Sequence, residues 1–274
     1  MKSLTLPKAE SGFGVELEFH VPQDISVKHK GLKFLSKFSK DRYKKLNPFT
    51  CIKGDCSCGK RGWYGWDGLE INLGVFSLDR KGIKGFDSIL DGIYHDIAIL
   101  KEKDPNCKNP ITRTCGFHVH VSRGLFKQGV PTNFLSLWHK YQDDIFQHFT
   151  HPCRMKSCYV IRLDSPFAWS SDHGSCLNYS HHPTYEIRHM GMTSSTEALV
   201  NWVKFIYLMV ETAQDQDAHA SFLKSKTLLD GLENTSYPAW FEREKFLNWA
   251  RKSPKSKFPV RIAGKASVNA SIVE

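Results

Sequence analysis

The sequence predicts an α+β domain, one antiparallel or mixed sheet with helices on one face. Two observations carry this. Segments near residues 12–21, 115–122 and 185–189 alternate apolar and polar residues with period two, as half-buried strands do. Between and after them, residues 86–103 and 194–213 carry apolar stripes at helical spacing. The resulting order is strand, strand, helix, strand, helix, strand, helices.

The first strand covers Gly12 to Val21, with Phe13, Val15, Leu17 and Phe19 on one side and Gly14, Glu16, Glu18 and His20 on the other. A basic stretch, Lys28 to Lys45, carries Phe34, Leu35 and Phe38 at helical spacing and reads as an amphipathic helix with a cationic face. Residues 47–65 are rich in Gly, Cys and turn formers and read as an irregular insert. Trp66 to Val75 reads as a second strand. Phe86 to Lys103 reads as a helix through Ile89, Leu90, Ile93, Ile97 and Leu100, and Asp104-Pro105 ends it. Cys115 to Ser122 is a third strand, Asn133 to Thr150 a helix behind Pro131, and Tyr159 to Leu163 a short strand. Tyr185 to His189 alternates again. Ser194 to Ala213 is a helix with Ser194 or Ser195 as N-cap and Glu197 in its first turn. Helices over Ala218 to Leu229 and Trp240 to Arg251 complete a single domain, residues 1–251. The basic segment 252–274, with Pro254 and Pro259, reads as a flexible tail.

Composition bounds the function. The chain has 274 residues, 41% hydrophobic and 12% aromatic, enough to bury a core and too apolar for disorder over most of its length. The formal net charge of +10 suits an anionic partner such as a nucleotide, a nucleic acid or an acidic metabolite, and equally serves solubility. Met-Lys-Ser-Leu-Thr-Leu-Pro at the start lacks the apolar core of a secretory signal. No apolar run approaches the roughly 18 residues of a membrane span. A cytoplasmic protein is expected, and its eight cysteines are then free thiols rather than a disulfide frame. Cys51, Cys56 and Cys58 offer a second reading, a structural Zn²⁺ site completed by Cys107 or a histidine. Trp63, Tyr64 and Trp66 beside Lys60 and Arg61 are read as a plug at the sheet end, with base stacking as the alternative.

Three pairs and one further carboxylate carry the chemistry. Glu16 and Glu18 lie at i and i+2 on one strand face, roughly 6.5–7 Å apart at the backbone. Like charges held that close repel, and hard cations between them remove the cost. His118 and His120 share the polar face of an otherwise apolar strand, where imidazoles bind metal or meet phosphate oxygens. Glu186 and Arg188 place a metal-binding carboxylate beside a guanidinium suited to a phosphoryl group. Glu70, after Asp67-Gly68, adds a carboxylate from the second strand. Each also has a plain structural reading: glutamates on an exposed strand face, histidines of a polar face with no role, a surface ion pair and, for Glu70, a turn carboxylate. Together they supply what phosphoryl transfer needs, positioning and charge neutralisation.

At these residues the chain resembles the amidoligase family, within the superfamily of glutamine synthetase and glutamate–cysteine ligase, the carboxylate–amine ligases. The resemblance rests on Phe13-Gly14-Val15-Glu16-Leu17-Glu18-Phe19, Gly68-Leu69-Glu70-Ile71, Cys115-Gly116-Phe117-His118-Val119-His120-Val121, Tyr185-Glu186-Ile187-Arg188 and Asn201-Trp202-Val203-Lys204-Phe205. It implies a glutamine synthetase-like catalytic domain: a curved, mostly antiparallel sheet whose concave face holds ATP and metal, with helices on the convex face. It implies Glu16, Glu18, Glu70 and Glu186 as ligands for Mg²⁺ or Mn²⁺, and His118 as a further ligand or phosphate contact. His120 would sit beside the nucleotide or substrate, and Arg188 would neutralise the transferring phosphoryl group. Glu16, His120 and Arg188 are thus the catalytic candidates. The implied reaction is ATP-dependent amide formation through an acyl phosphate, joining a carboxylate donor to an amine acceptor, either of which could belong to a peptide or other anionic polymer.

The chain departs from the family pattern twice. Asp67-Gly68 runs directly into Leu69-Glu70, where the family has Asp-Gly-Ser several residues earlier. His181, His182, Pro183 and Thr184 stand where an arginine often precedes the Glu-x-Arg strand, leaving Arg113 or Arg162 as substitutes. Two other functions use the same features: a metal-dependent phosphohydrolase or nuclease, and a non-catalytic nucleic-acid-binding module acting through the basic segments.

Overall fold

In a computed structural model, the described residues are 12–22, 51–54, 66–103, 111, 114–126, 130–150, 160–163, 174–179 and 183–252. The alternating segments form one antiparallel sheet. Its strands are β1 (Gly12–Pro22), β2 (Cys51–Gly54), β3 (Trp66–Ser77), β4 (Phe117–Ser122), β5 (Leu177–Tyr179) and β6 (Thr184–Ile187), in the order β2-β3-β1-β4-β6-β5. The strand carrying Glu16 and Glu18 is therefore central, between the strand of Glu70 and the strand of the two histidines.

Period two decides what each face buries. Phe13, Val15, Leu17 and Phe19 of β1 are buried with Leu69, Ile71 and Leu73 of β3 and Phe117, Val119 and Val121 of β4. Onto this side pack α1 (Arg80–Lys103), α2 (Val130–Phe149) and α3 (Thr196–Gln214). The Phe86 ring of α1 lies 5.8 Å from Phe13 and 6.1 Å from Phe117. Trp138 of α2 meets Trp202 and Phe205 of α3 at 6.1 and 5.8 Å. Each fully buried side chain of this size contributes ~1.5–3 kcal/mol. Three short helices follow: α4 (Gln216–Lys224), α5 (Leu228–Asn234) and α6 (Arg243–Lys252).

Capping explains three of the helix starts. Ser195 accepts from the Ala198 N–H at the start of α3, and Glu197 sits in the first turn, as predicted. α1 begins at Arg80 rather than residue 86, because the Asp79 carboxylate accepts from the Gly82 N–H at 2.8 Å and starts the helix before its apolar stripe begins. The helix expected over Ala218 to Leu229 is two helices, since Thr227 and Asp230 form a capping box that starts α5 afresh.

The strands bring three corrections. Cys51–Gly54, inside the predicted irregular insert, is a strand paired with β3. β5 was not anticipated, because three residues are too few to show a period. The strand expected over Tyr159 to Leu163 does not form across the described residues 160–163. There Ile161 makes one isolated bridge to Ser175, and the Gln142 side chain binds the Leu163 N–H and C=O at 3.0 and 3.2 Å, tying the segment to α2. The Lys28–Lys45 segment, Trp63, Tyr64 and the tail after Lys252 lie outside the described residues, as do Cys56 and Cys58 of the zinc reading. Cys115 and Cys176 are buried free thiols. Among the described residues, no helix is long and apolar enough to cross a membrane.

Candidate metal and phosphate site

Strand register assembles the site on the sheet face opposite the helices. In an antiparallel pair, residues directly opposite share a face. Glu16 stands opposite His118, and His120 opposite Glu186. Glu18 stands opposite Glu70, and Asn178 of β5 opposite Glu186. Residues spread over 170 positions of the chain thus form one polar patch.

The patch closes on His118. Its Nδ1 lies 3.1 Å from Glu16 Oε2 and 3.2 Å from Glu186 Oε1, and its Nε2 lies 3.7 Å from Glu18 Oε1. His120 Nε2 is 3.1 Å from Glu16 Oε1, so Glu16 faces both histidines. Arg188 donates to Glu186 Oε1 at 2.5 Å. Ligand atoms of Glu16, His118 and Glu186 all fall within 4.8 Å of one another. Glu18 borders this trio without joining it, its Oε2 accepting from the Gly116 N–H. Glu70 is buried one strand further on, in register with Glu18.

Burial separates this arrangement from charged side chains spread on a solvated strand face. His118 is 2% exposed, Glu186 4%, Glu18 5% and Glu70 8%. The reading of Glu186 and Arg188 as a surface ion pair therefore fails. Burial works to raise the Glu16 carboxyl, but hydrogen bonds and charge from His118 and His120 outweigh it and hold the group well below the usual carboxylate range. For Glu186, burial is likewise outweighed by His118 and Arg188, and the carboxyl comes down to about 2. Burial alone would lower the His118 imidazole, yet Glu18, Glu16 and Glu186 around it raise it. Two ionised carboxylates and an imidazole converging at this range fit a divalent cation: the oxygens suit Mg²⁺ or Mn²⁺, and the nitrogen favours the softer of the two.

Three further residues at the patch escaped the sequence reading. The Asn178 side chain is fully buried and donates to Glu186 Oε2 at 3.2 Å. Thr184 Oγ1 lies 3.2 Å from His120 Nδ1. Asn72, in register with Glu16, has a buried Oδ1 with no hydrogen-bond partner. Thr184 was legible in principle, two residues before Glu186 on the same strand. Asn72 was too, two residues after Glu70 on the strand read from Trp66 to Val75, whereas only register brings Asn178 to the patch. Arg162 does not fill the place of the absent arginine: it pairs with Asp143 of α2 and lies over the Phe146 ring, 5.5 Å from its centroid. Arg113 lies outside the described residues.

Compared with protein-family models and with curated proteins, the chain finds no match.

Proposed function

We propose that this protein is an ATP- and divalent-metal-dependent carboxylate–amine ligase of the glutamine synthetase-like type. The observation that carries the reading is the convergence of Glu16 and Glu186 on one nitrogen of His118, with Arg188 seated on Glu186. Ionised carboxylates next to an arginine, on a buried sheet face, suit the positioning of a charged phosphate chain. The motif resemblance along β1, β3, β4 and β6 points the same way.

In this reading a substrate carboxylate oxygen attacks the γ-phosphorus of ATP, the bond to the β–γ bridging oxygen breaks, and ADP leaves. The acyl phosphate then meets an amine. The C–N bond forms, the C–O bond to phosphate breaks, and the nitrogen loses a proton. Glu16, His118 and Glu186 would hold a divalent cation, with Glu18 and Glu70 available to a second. A bound cation supplies charge screening along the phosphates. Arg188 meets the transferring phosphoryl group, and His120 reaches Glu16, whose side chain is 23% exposed against 5% for Glu186.

The test is ATP turnover by the full chain with Mg²⁺ or Mn²⁺, screened against pools of carboxylates and amines. ADP formation that needs both pools supports the ligase. Phosphate release with neither pool would replace it with a metal-dependent phosphohydrolase on the same residues. Wild-type turnover by Glu16→Ala would remove the site assignment altogether.

A further inference from the structure

A concave site lies in the helical layer, on the other side of the core from the carboxylates. It is a cavity of about 600 Å³ between the start of α1, the middle of α3 and the segment entering α6. That volume is typical of pockets that take small molecules. Ile83 of α1 and Val200 of α3 give it an apolar floor, Trp240 forms a wall, and Arg80, Lys84 and Lys204 bring three cations.

The charges are unequally answered. Glu242 also lines the cavity, but it is shared by Lys204 and Lys245, each with Nζ 3.9 Å from Oε2. Asp87, the other acid there, is raised from its ordinary value by burial and by Asp91, while Lys204 and Lys245 pull it back down. Arg80 and Lys84, one turn apart on α1, have no ion pair or hydrogen bond from their side chains among the described residues. At the start of α1 the Asp79 carboxylate already caps the Gly82 N–H, so the cationic character of this end of the groove rests on Arg80 and Lys84. Burial pushes the Lys204 ammonium below its ordinary range, since the charge has lost part of its water. An incoming anion would restore what that charge has lost.

Trp240 defines the other half of the ligand. The indole is half-buried, packed at a tilt against Tyr207 and Phe241 with ring centroids 5.5 Å away in each case, and still lines the cavity. A fixed aromatic wall above an aliphatic floor favours a flat ring over a branched or saturated one. The groove draws only on α1, α3 and the residues before α6, none of which supplies a group to the His118 cluster.

We propose that this groove binds a planar ring bearing a phosphate or carboxylate, with Trp240 as the ring platform and Arg80, Lys84 and Lys204 as the anion contacts. It is separate from the proposed ligase site and does not depend on that reading.

The test is calorimetric titration of the full chain with phenyl phosphate and benzoate, beside cyclohexyl phosphate and inorganic phosphate. Phenyl phosphate or benzoate should bind with a Kd below about 1 mM. The saturated ring and the free ion should bind at least about fivefold more weakly. Lys84→Glu, an exposed change that leaves the core intact, should weaken binding about tenfold or more, as reversing one charge at contact distance does. Trp240→Leu should remove the preference for the flat ring, while Glu16→Ala should change nothing. Absence of binding at about 5 mM ligand overturns the proposal. So does affinity indifferent to Lys84→Glu, equal affinity for cyclohexyl phosphate, or loss of binding in Glu16→Ala.

Discussion

Glu16 and Glu186, on strands separated by β4, direct their carboxylates to the same nitrogen of His118, at 3.1 and 3.2 Å. One imidazole nitrogen can carry only one proton, so two anions compete for it. A divalent cation would satisfy both carboxylates at once, which makes their replacement the most direct probe of the cluster.

Glu16→Ala and Glu186→Gln should each weaken Mn²⁺ binding by at least about 100-fold, a loss larger than supporting residues usually cause. Paramagnetic titration of Mn²⁺ measures it, with circular dichroism to confirm the fold. Unchanged affinity in both variants would mean that the trio is a structural network only.

Acid should destabilise the metal-free protein through Glu186. Its carboxyl lies at about 2 in the fold against an ordinary 4.5, so its contribution is complete above 4.5 and is lost as pH falls towards 2. His118 runs the other way: its raised value contributes stability below its ordinary 6.5, lost as pH climbs through the folded value. Melting curves should therefore show Tm falling between pH 4.5 and 2 in wild type and falling less in Glu186→Gln. Parallel acid slopes in the two proteins would contradict the assignment.

Asn178 should act through Glu186. Replacing it with Leu keeps much of the volume but removes the donor to Oε2 in a fully buried place. A loss of ~1–3 kcal/mol in denaturant unfolding is expected, the cost of leaving a buried polar partner unmet. Mn²⁺ affinity should fall by about tenfold, as it does when a group orienting a ligand is removed. A stability loss without any change in affinity would leave Asn178 a purely structural residue.

Gly82 should reverse the usual helix rule. Glycine to alanine in a helix interior ordinarily gains up to about 1 kcal/mol. Here an added Cβ would stand 1.9 Å from the Ser77 carbonyl oxygen, a backbone atom that cannot simply swing away. Gly82→Ala should cost about 2 kcal/mol or more in urea unfolding. A stabilised variant would show that the β3–α1 connection can relax freely.

Much of the fold was legible because period two and period 3.6 are local signals. β1, β4 and α3 were read nearly to their ends, since each carries enough apolar residues to show its period. Cys51–Gly54 and Leu177–Tyr179 were not, being too short for a period and held by pairing with β3 and β6. At the site, Glu16, His118, His120 and Glu186 were nominated by strand parity, and the structure brings all four together. Glu70 reaches the same face but stays outside the trio, because parity selects a face and says nothing about distance along it.

The alternating pattern alone settled which residues turn away from the helices, because side chains on a strand have only two directions. It could not settle which strands are neighbours. The order β3-β1-β4-β6 comes from long-range pairing, and that pairing makes two glutamates about 170 residues apart share a histidine. Nor could it settle burial. An i, i+2 pair reads the same on a wet face as on a covered one, and only the packed chain decides whether its charges are cheap surface polarity or a costly cluster suited to a cation.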